Sequence, residues 1–130
     1  MPAAAVLKVL VVDDQNSVRQ MTRITLEQIG VRVIHEAENG RTAMDTAALQ
    51  PLDLIISDYN MPEMDGLALL RAVRGHPSAR KVPFILLTGR GDRELVVKAA
   101  QAGANNYLIK PFTAEVLKEK LAKILSATAK

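Results

Sequence analysis

The sequence predicts an α/β fold, a doubly wound parallel sheet with helices on both faces. Three observations carry this expectation. Apolar runs alternate with helical patterns five times along 130 residues, and strand–helix alternation argues for a parallel sheet with right-handed crossovers. No linker, repeat or low-complexity tract marks a second unit. Polar or charged residues stand directly after four of the apolar runs, where a parallel sheet presents its ligand-binding edge.

Each element has its own signal. Val6 to Val12 reads as the first strand. Val18, Met21, Thr22, Leu26 and Ile29 then mark one helix face, and Gly30 is placed to end that helix. Val31 to Ala37 is a weaker strand because it alternates with polar residues, which suits a sheet edge. Asn39-Gly40 turns into a second helix that stops before Pro51. Leu54 to Ser57 is the third strand, followed by a loop from Asp58 to Gly66 and a short helix with Leu67, Leu70 and Val73. Val82 to Leu87 is the fourth strand, with Pro83 tolerable at its start. Asp92 is a candidate cap for a helix carrying Leu95, Val96 and Ala99 and ending near Gly103. Tyr107 to Ile109 is the fifth strand. Thr113 opens a last helix with Leu117, Leu121, Ile124 and Leu125 on one face, but its start lacks a full capping box.

Bulk properties narrow the function. The length fits one domain, 1–130 with its core at about 6–125, able to bury a core without staples. Without cysteine, the chain has no disulfides, thiolate zinc sites or cysteine nucleophiles. The formal charge of +3 is spread without a basic block, and there are only two Tyr and two Phe, so a nucleic-acid surface is not indicated. The apolar start lacks the basic residues of an export signal and runs into Asp13-Asp14. No stretch reaches the roughly 18 apolar residues of a membrane span. The expectation is a soluble cytoplasmic protein without membrane insertion.

The strand ends carry the chemistry. Asp13 and Asp14 follow the first strand, Asp58 the third, Thr88 the fourth and Lys110 the fifth. In a parallel sheet these five residues meet at one edge. Like charges about 4 Å apart repel by roughly 4 kcal/mol at an effective dielectric near 20, so the acids need a proton or a cation among them. Lys110 supplies one charge. Magnesium, which takes one or two carboxylates plus waters and phosphate oxygens, matches the rest. A carboxylate can attack phosphorus to give an aspartyl phosphate, and phosphoryl transfer otherwise needs positioning and cancellation of charge. Singly, each residue has a plainer reading: Asp13-Asp14 as helix capping, Thr88 before Gly89 as loop chemistry, Lys110-Pro111 as a strand terminator, Tyr107 as core. Their coincidence at four strand ends favours a site.

These residues resemble the receiver domain of two-component response regulators, most of all the stand-alone chemotaxis type. The resemblance spans Val6 to about Leu125. Its specific stretches are Val11-Val12-Asp13-Asp14, Ser57-Asp58-Tyr59-Asn60-Met61-Pro62-Glu63-Met64-Asp65-Gly66, Gln101-Ala102-Gly103-Ala104 and Lys110-Pro111-Phe112-Thr113. It implies a (βα)5, flavodoxin-like sheet in order 2-1-3-4-5. It further implies that Asp58 is the phosphoacceptor and that Asp14, Asp58 and the Asn60 backbone carbonyl bind magnesium directly. Asp13 would hold the metal through water, and Lys110 would pair with the phosphoryl group. Thr88 would be the switch hydroxyl, Tyr107 the aromatic that swings inward, and Gly89 the small residue leaving space for phosphate. Lys110-Pro111 would be cis. At Arg90 this sequence departs from the chemotaxis type, which carries an acid there. With Asn60, Arg90 would flank the attacking water and alter the phosphate's lifetime, or it is a solvated arginine.

The resemblance implies a switch rather than an enzyme with an external product. A histidine kinase or histidine phosphotransfer protein would phosphorylate Asp58. The surface of the fourth helix, fifth strand and fifth helix would then bind a protein target such as the flagellar motor switch. No output domain is seen, so output would come from that binding, with a monomer that dimerises, if at all, when phosphorylated. A relay or adaptor receiver acting on a kinase, and a phosphorylation-independent scaffold, remain as alternatives. A haloacid-dehalogenase-like phosphatase would need two acids separated by one residue after the first strand, whereas Asp13 and Asp14 are adjacent. A flavodoxin-like cofactor binder would place phosphate beside those acids.

Overall fold

The computed structural model describes residues 6–89 and 93–128. Strands and helices alternate as β1 (Lys8–Val12), α1 (Asn16–Ile29), β2 (Val33–Ala37), α2 (Gly40–Leu49), β3 (Leu54–Asp58), α3 (Gly66–Gly75), β4 (Phe84–Thr88), α4 (Arg93–Ala102), β5 (Asn106–Ile109) and α5 (Ala114–Thr128). All strand pairings are parallel, in the order β2-β1-β3-β4-β5. The polar alternation of β2 therefore marks an edge strand, as expected.

Side chains of a strand point alternately to opposite faces, and the two cores follow that period. Leu10, Val12, Ile55, Phe84 and Leu86 face α2, α3 and α4, meeting Ala43, Ala47, Leu69, Leu70, Val73, Leu95 and Ala99. Val9, Val11, Leu54, Ile56, Ile85, Leu87 and Leu108 face α1 and α5, meeting Leu26, Ile29, Leu117, Leu121 and Ile124. Each such side chain contributes about 1.5–3 kcal/mol on full burial, and the central strands β3 and β4 are buried along their whole length.

Local chemistry sets the ends. Gly30, at φ 110, ends α1, and its N–H reaches the carbonyls of Leu26 and Glu27. Asn39 and Asp65 cap α2 and α3 by accepting from the N–H groups of Thr42 and Ala68. Thr113 Oγ1 accepts from Val116 N–H at 3.2 Å, so half of a capping box suffices for α5. Three expectations need correction. The first two strands begin later, at Lys8 and Val33, and Val6 is exposed. The fourth begins at Phe84 and includes Thr88. Met21 is 66% exposed rather than core, because it lies on the flank of the Val18–Thr22–Leu26–Ile29 stripe. Asp92 and the side chain of Leu125 lie outside the described residues.

At the sheet end opposite the charged residues, Arg74 of α3 grips four acceptors. Its guanidinium donates to the carbonyls of Gly103 (2.7 and 3.1 Å), Val82 (2.6 Å) and Arg80 (3.1 Å), and to Asn105 Oδ1 (3.1 Å). Asn105 Oδ1 also accepts from Phe84 N–H at 2.8 Å. Gly103 sits at φ 102, and a Cβ there would lie 2.9 Å from Arg74 Nε.

Candidate functional site

Four strands deliver the sequence-predicted residues to one edge. Asp13 directly follows β1, and its N–H donates to the Ala37 carbonyl of β2 at 3.1 Å. Asp13 Oδ1 accepts from Gln15 N–H at 3.0 Å, and Asp14 is exposed beside it. β3 ends in Asp58, 5% exposed, which accepts from Lys110 Nζ at 2.7 Å. Thr88 is buried at the end of β4, and its carbonyl accepts from Lys110 N–H at 2.8 Å. The Lys110-Pro111 peptide is cis.

The loop after β3 is held by short-range bonds. Tyr59 N–H donates to the Leu87 carbonyl, and Gly66 N–H returns to the Tyr59 carbonyl, both at 2.8 Å. Between them Met64 N–H donates to the Pro62 carbonyl at 2.7 Å. This three-residue turn places Glu63 at φ 67, a left-handed conformation that costs a residue with a Cβ about 1–3 kcal/mol. Asn60, Thr88, Gly89 and Lys110 border a pocket of about 580 Å³ around Asp58. Gln15, Tyr59 and Leu95 complete its lining. No chemical signal in the sequence marks these three, and Leu95 carries none beyond its helix face. Tyr107 is half-buried against the α2–α3–α4 core, with Lys120 Nζ 5.7 Å from its ring centroid. Arg90, expected to bear on phosphate lifetime, lies outside the described residues.

Carboxylate oxygens of Asp13, Asp14 and Asp58 lie within 4.8 Å of one another. Among the described residues, three carboxylates against the single Lys110 ammonium leave two negative charges. Among the described residues Asp13 Oδ2 is buried without a hydrogen-bond partner, an arrangement that normally costs stability. Oxygen donors, an orphaned carboxylate oxygen and an uncompensated charge of two fit a hard divalent cation.

Burial pushes the Asp13 carboxyl above its usual value of 3.8; the Gln15 amide opposes this and the Asp58 charge adds to it. The sign for stability follows. The folded state holds this proton more tightly than the unfolded state, so stability falls as pH rises from 3.8 through the raised folded value. Above that value the penalty is complete. At neutral pH without metal, Asp13→Asn should therefore raise the thermal midpoint by a few degrees and flatten its acid-range slope. Magnesium should raise the midpoint of the wild type by more than that of the variant. Equal midpoints in metal-free buffer would contradict the argument.

The family described as "Response regulator receiver domain" matches residues 9–122. The chain is 46% identical over 127 residues to "Probable chemotaxis protein CheY" of Rhizobium etli, covering 98% of both chains. It is 41% identical over 118 residues to "Chemotaxis protein CheY" of Pseudomonas aeruginosa, covering 91% of this chain and 95% of that one. The solved structure of Vibrio cholerae chemotaxis protein CheY4 (the low-pH crystal form) superposes with a TM-score of 0.85 at 38% identity, over 92% of this chain and 98% of that one.

Proposed function

The chain belongs to the response regulator receiver family, and from that premise we propose that it accepts a phosphoryl group on Asp58 from a phosphohistidine. The donor is a histidine kinase or a histidine phosphotransfer protein. As a receiver it is a signalling protein rather than a conventional enzyme. The observation that carries the proposal is Asp58 itself, buried at the end of β3, 2.7 Å from an ammonium and within 4.8 Å of an acidic pair.

Asp14, the Asp58 carboxylate and the Asn60 carbonyl would hold magnesium, with Asp13 acting through water. A magnesium ion bound there would supply the cancellation of charge that the transferring oxygens need. An Asp58 carboxylate oxygen forms the bond to phosphorus as the phosphorus–nitrogen bond to the donor imidazole breaks. Lys110 neutralises the arriving phosphoryl oxygens. Gly89 leaves them room, and among the described residues a Cβ added there would meet nothing within 4 Å. The Thr88 hydroxyl then moves onto a phosphoryl oxygen, and Tyr107 follows inward.

The output is a changed α4–β5–α5 surface that binds a protein target. Val97, Ile109 and Val116, exposed large apolar residues of α4, β5 and α5, support a docking role. The chemotaxis relatives support a flagellar motor target and a cytoplasmic location. Among the described residues no helix is long and apolar enough to cross a membrane. The receiver acts as a single domain, a reading supported by its 98% coverage of the Rhizobium relative.

The test is intact mass after incubation with acetyl phosphate or phosphoramidate, with magnesium and with chelator, beside Asp58→Asn. One phosphoryl adduct that needs both magnesium and Asp58 is expected. No adduct under any condition, together with no binding of beryllofluoride, would favour a scaffold that works unmodified.

A further inference from the structure

Arg19 ties its own helix α1 to β2 and to the residue that follows β1. Its side chain is 12% exposed. Nε donates to Glu36 Oε1 of β2 at 2.9 Å, Nη1 to the Asp13 backbone carbonyl at 2.8 Å, and Nη2 to Asn16 Oδ1 at 2.6 Å. Glu36 also accepts from Arg23 Nη1 at 2.8 Å and Gln20 Nε2 at 2.6 Å. Burial pushes the Glu36 carboxyl up, but the hydrogen bonds and charges of Arg19 and Arg23 outweigh it and hold the group below its usual range. Glu36 is therefore ionised at neutral pH and orients the Arg19 fork.

The consequence falls on the Asp13–Asp14 peptide. Asp13 N–H is fixed by the Ala37 carbonyl, Asp13 Oδ1 by Gln15 N–H, and the Asp13 carbonyl by Arg19. Two of these three anchors come from the backbone, and the third depends on a side chain. The carbonyl sets the plane of the peptide joining the two acids, and so the direction in which Asp14 leaves the chain. We infer that Arg19, oriented by Glu36, is a positioning residue that holds Asp13 and Asp14 in the arrangement that binds a divalent cation. This rests on the reading of the acidic cluster as a magnesium site. Residues that orient ligands without touching the metal typically change affinity by about 10–100-fold when removed. Lysine cannot replace this function, because one ammonium lacks the planar fork that meets three acceptors.

The experiment is calorimetric titration of the full chain with magnesium chloride, with thermal midpoints as the control for folding. Arg19→Ala and Arg19→Lys should both bind magnesium about ten-fold more weakly than wild type. Arg23→Ala should stay within about two-fold, since Arg23 shares Glu36 but none of its hydrogen bonds goes to Asp13. At saturating magnesium, phosphorylation of the Arg19 variants by acetyl phosphate should recover to within about three-fold of wild type, the split expected when only the metal step is touched. Glu36→Ala carries the test if Arg19→Ala does not fold, and should weaken magnesium in the same direction. Wild-type affinity in the Arg19 variants would overturn the inference, as would an equal loss in Arg23→Ala. Absence of magnesium binding by the wild type would instead sink the metal-site reading, and this inference with it.

Discussion

Lys110→Met should lower the thermal midpoint of the metal-free protein by about 10 °C and make that midpoint more responsive to magnesium. Removing one partner of a buried ion pair costs about 3–5 kcal/mol. The Lys110 side chain is 25% exposed, so solvent screening reduces this to about 2–3 kcal/mol. At roughly 4 °C per kcal/mol for a chain of this length, the shift follows. The magnesium response moves the other way. Without the ammonium, three carboxylate oxygens within 4.8 Å lose the one cation that pairs with them among the described residues, so a divalent ion relieves more repulsion when it binds. Phosphorylation should nonetheless fall by roughly 100-fold, the scale seen when a charge-stabilising donor is removed from a reacting centre. Thermal melts at several magnesium concentrations and intact-mass time courses read the two effects separately. A variant that melts like wild type with and without magnesium would remove Lys110 from the electrostatic balance of the site.

Gly66→Ala should destabilise the fold by about 3 kcal/mol, whereas Gly75→Ala, in the same helix, should stabilise it by up to about 1 kcal/mol. A Cβ at Gly66 would strike the Asp58 carbonyl oxygen and lie 2.7 Å from Leu86 Cδ1 and 2.9 Å from Tyr59 Cα. Two of these three neighbours are backbone atoms, which cannot step aside. The added methyl must push β3 and α3 apart at the residue proposed to accept phosphate. A Cβ at Gly75 meets nothing within 4 Å, so only the gain in helix propensity remains. Denaturant midpoints of the two variants provide the comparison. A Gly66→Ala midpoint equal to wild type would show that α3 can slide on the sheet. Phosphorylation of Asp58 should drop in Gly66→Ala and stay unchanged in Gly75→Ala.

Much of this arrangement is legible in the sequence, because periodicity and strand-end chemistry are local signals. The runs Val9–Val12 and Phe84–Leu87 announce buried strands, and Asp13, Asp14, Asp58, Thr88 and Lys110 announce one edge. The strand order rests on resemblance, since alternation alone does not say which strand neighbours which. What stayed hidden depends on long-range packing. Arg19 reads as one solvated helix residue until β2 brings Glu36 beside it, 17 positions away. Arg74 reads as a helix-end arginine until Gly103 arrives from 29 positions on. Gly66 appears as a turn residue, and its close approach to the Asp58 carbonyl is visible only in the packed structure. Met21 shows the opposite failure: a periodic apolar position on the flank of a stripe need not be covered.

The Arg74 clamp also determines how α4 can move. It holds the Gly103 carbonyl, just past the last residue of α4, through two hydrogen bonds, and ties the same loop to the start of β4 through Asn105. The pinned end of α4 therefore lies across the sheet from Asp58, and its first turn lies on the Thr88 side, with Leu95 on the pocket wall. A rod fixed at one end responds to a push at the other by tilting rather than translating. At about 1.5 Å per residue, ten residues make an arm of about 15 Å, and a tilt of about 10° about the Gly103 fulcrum would carry its tip roughly 2–3 Å. Such a lever would leave the far edge of the sheet undisturbed while the face beside β5 changes shape.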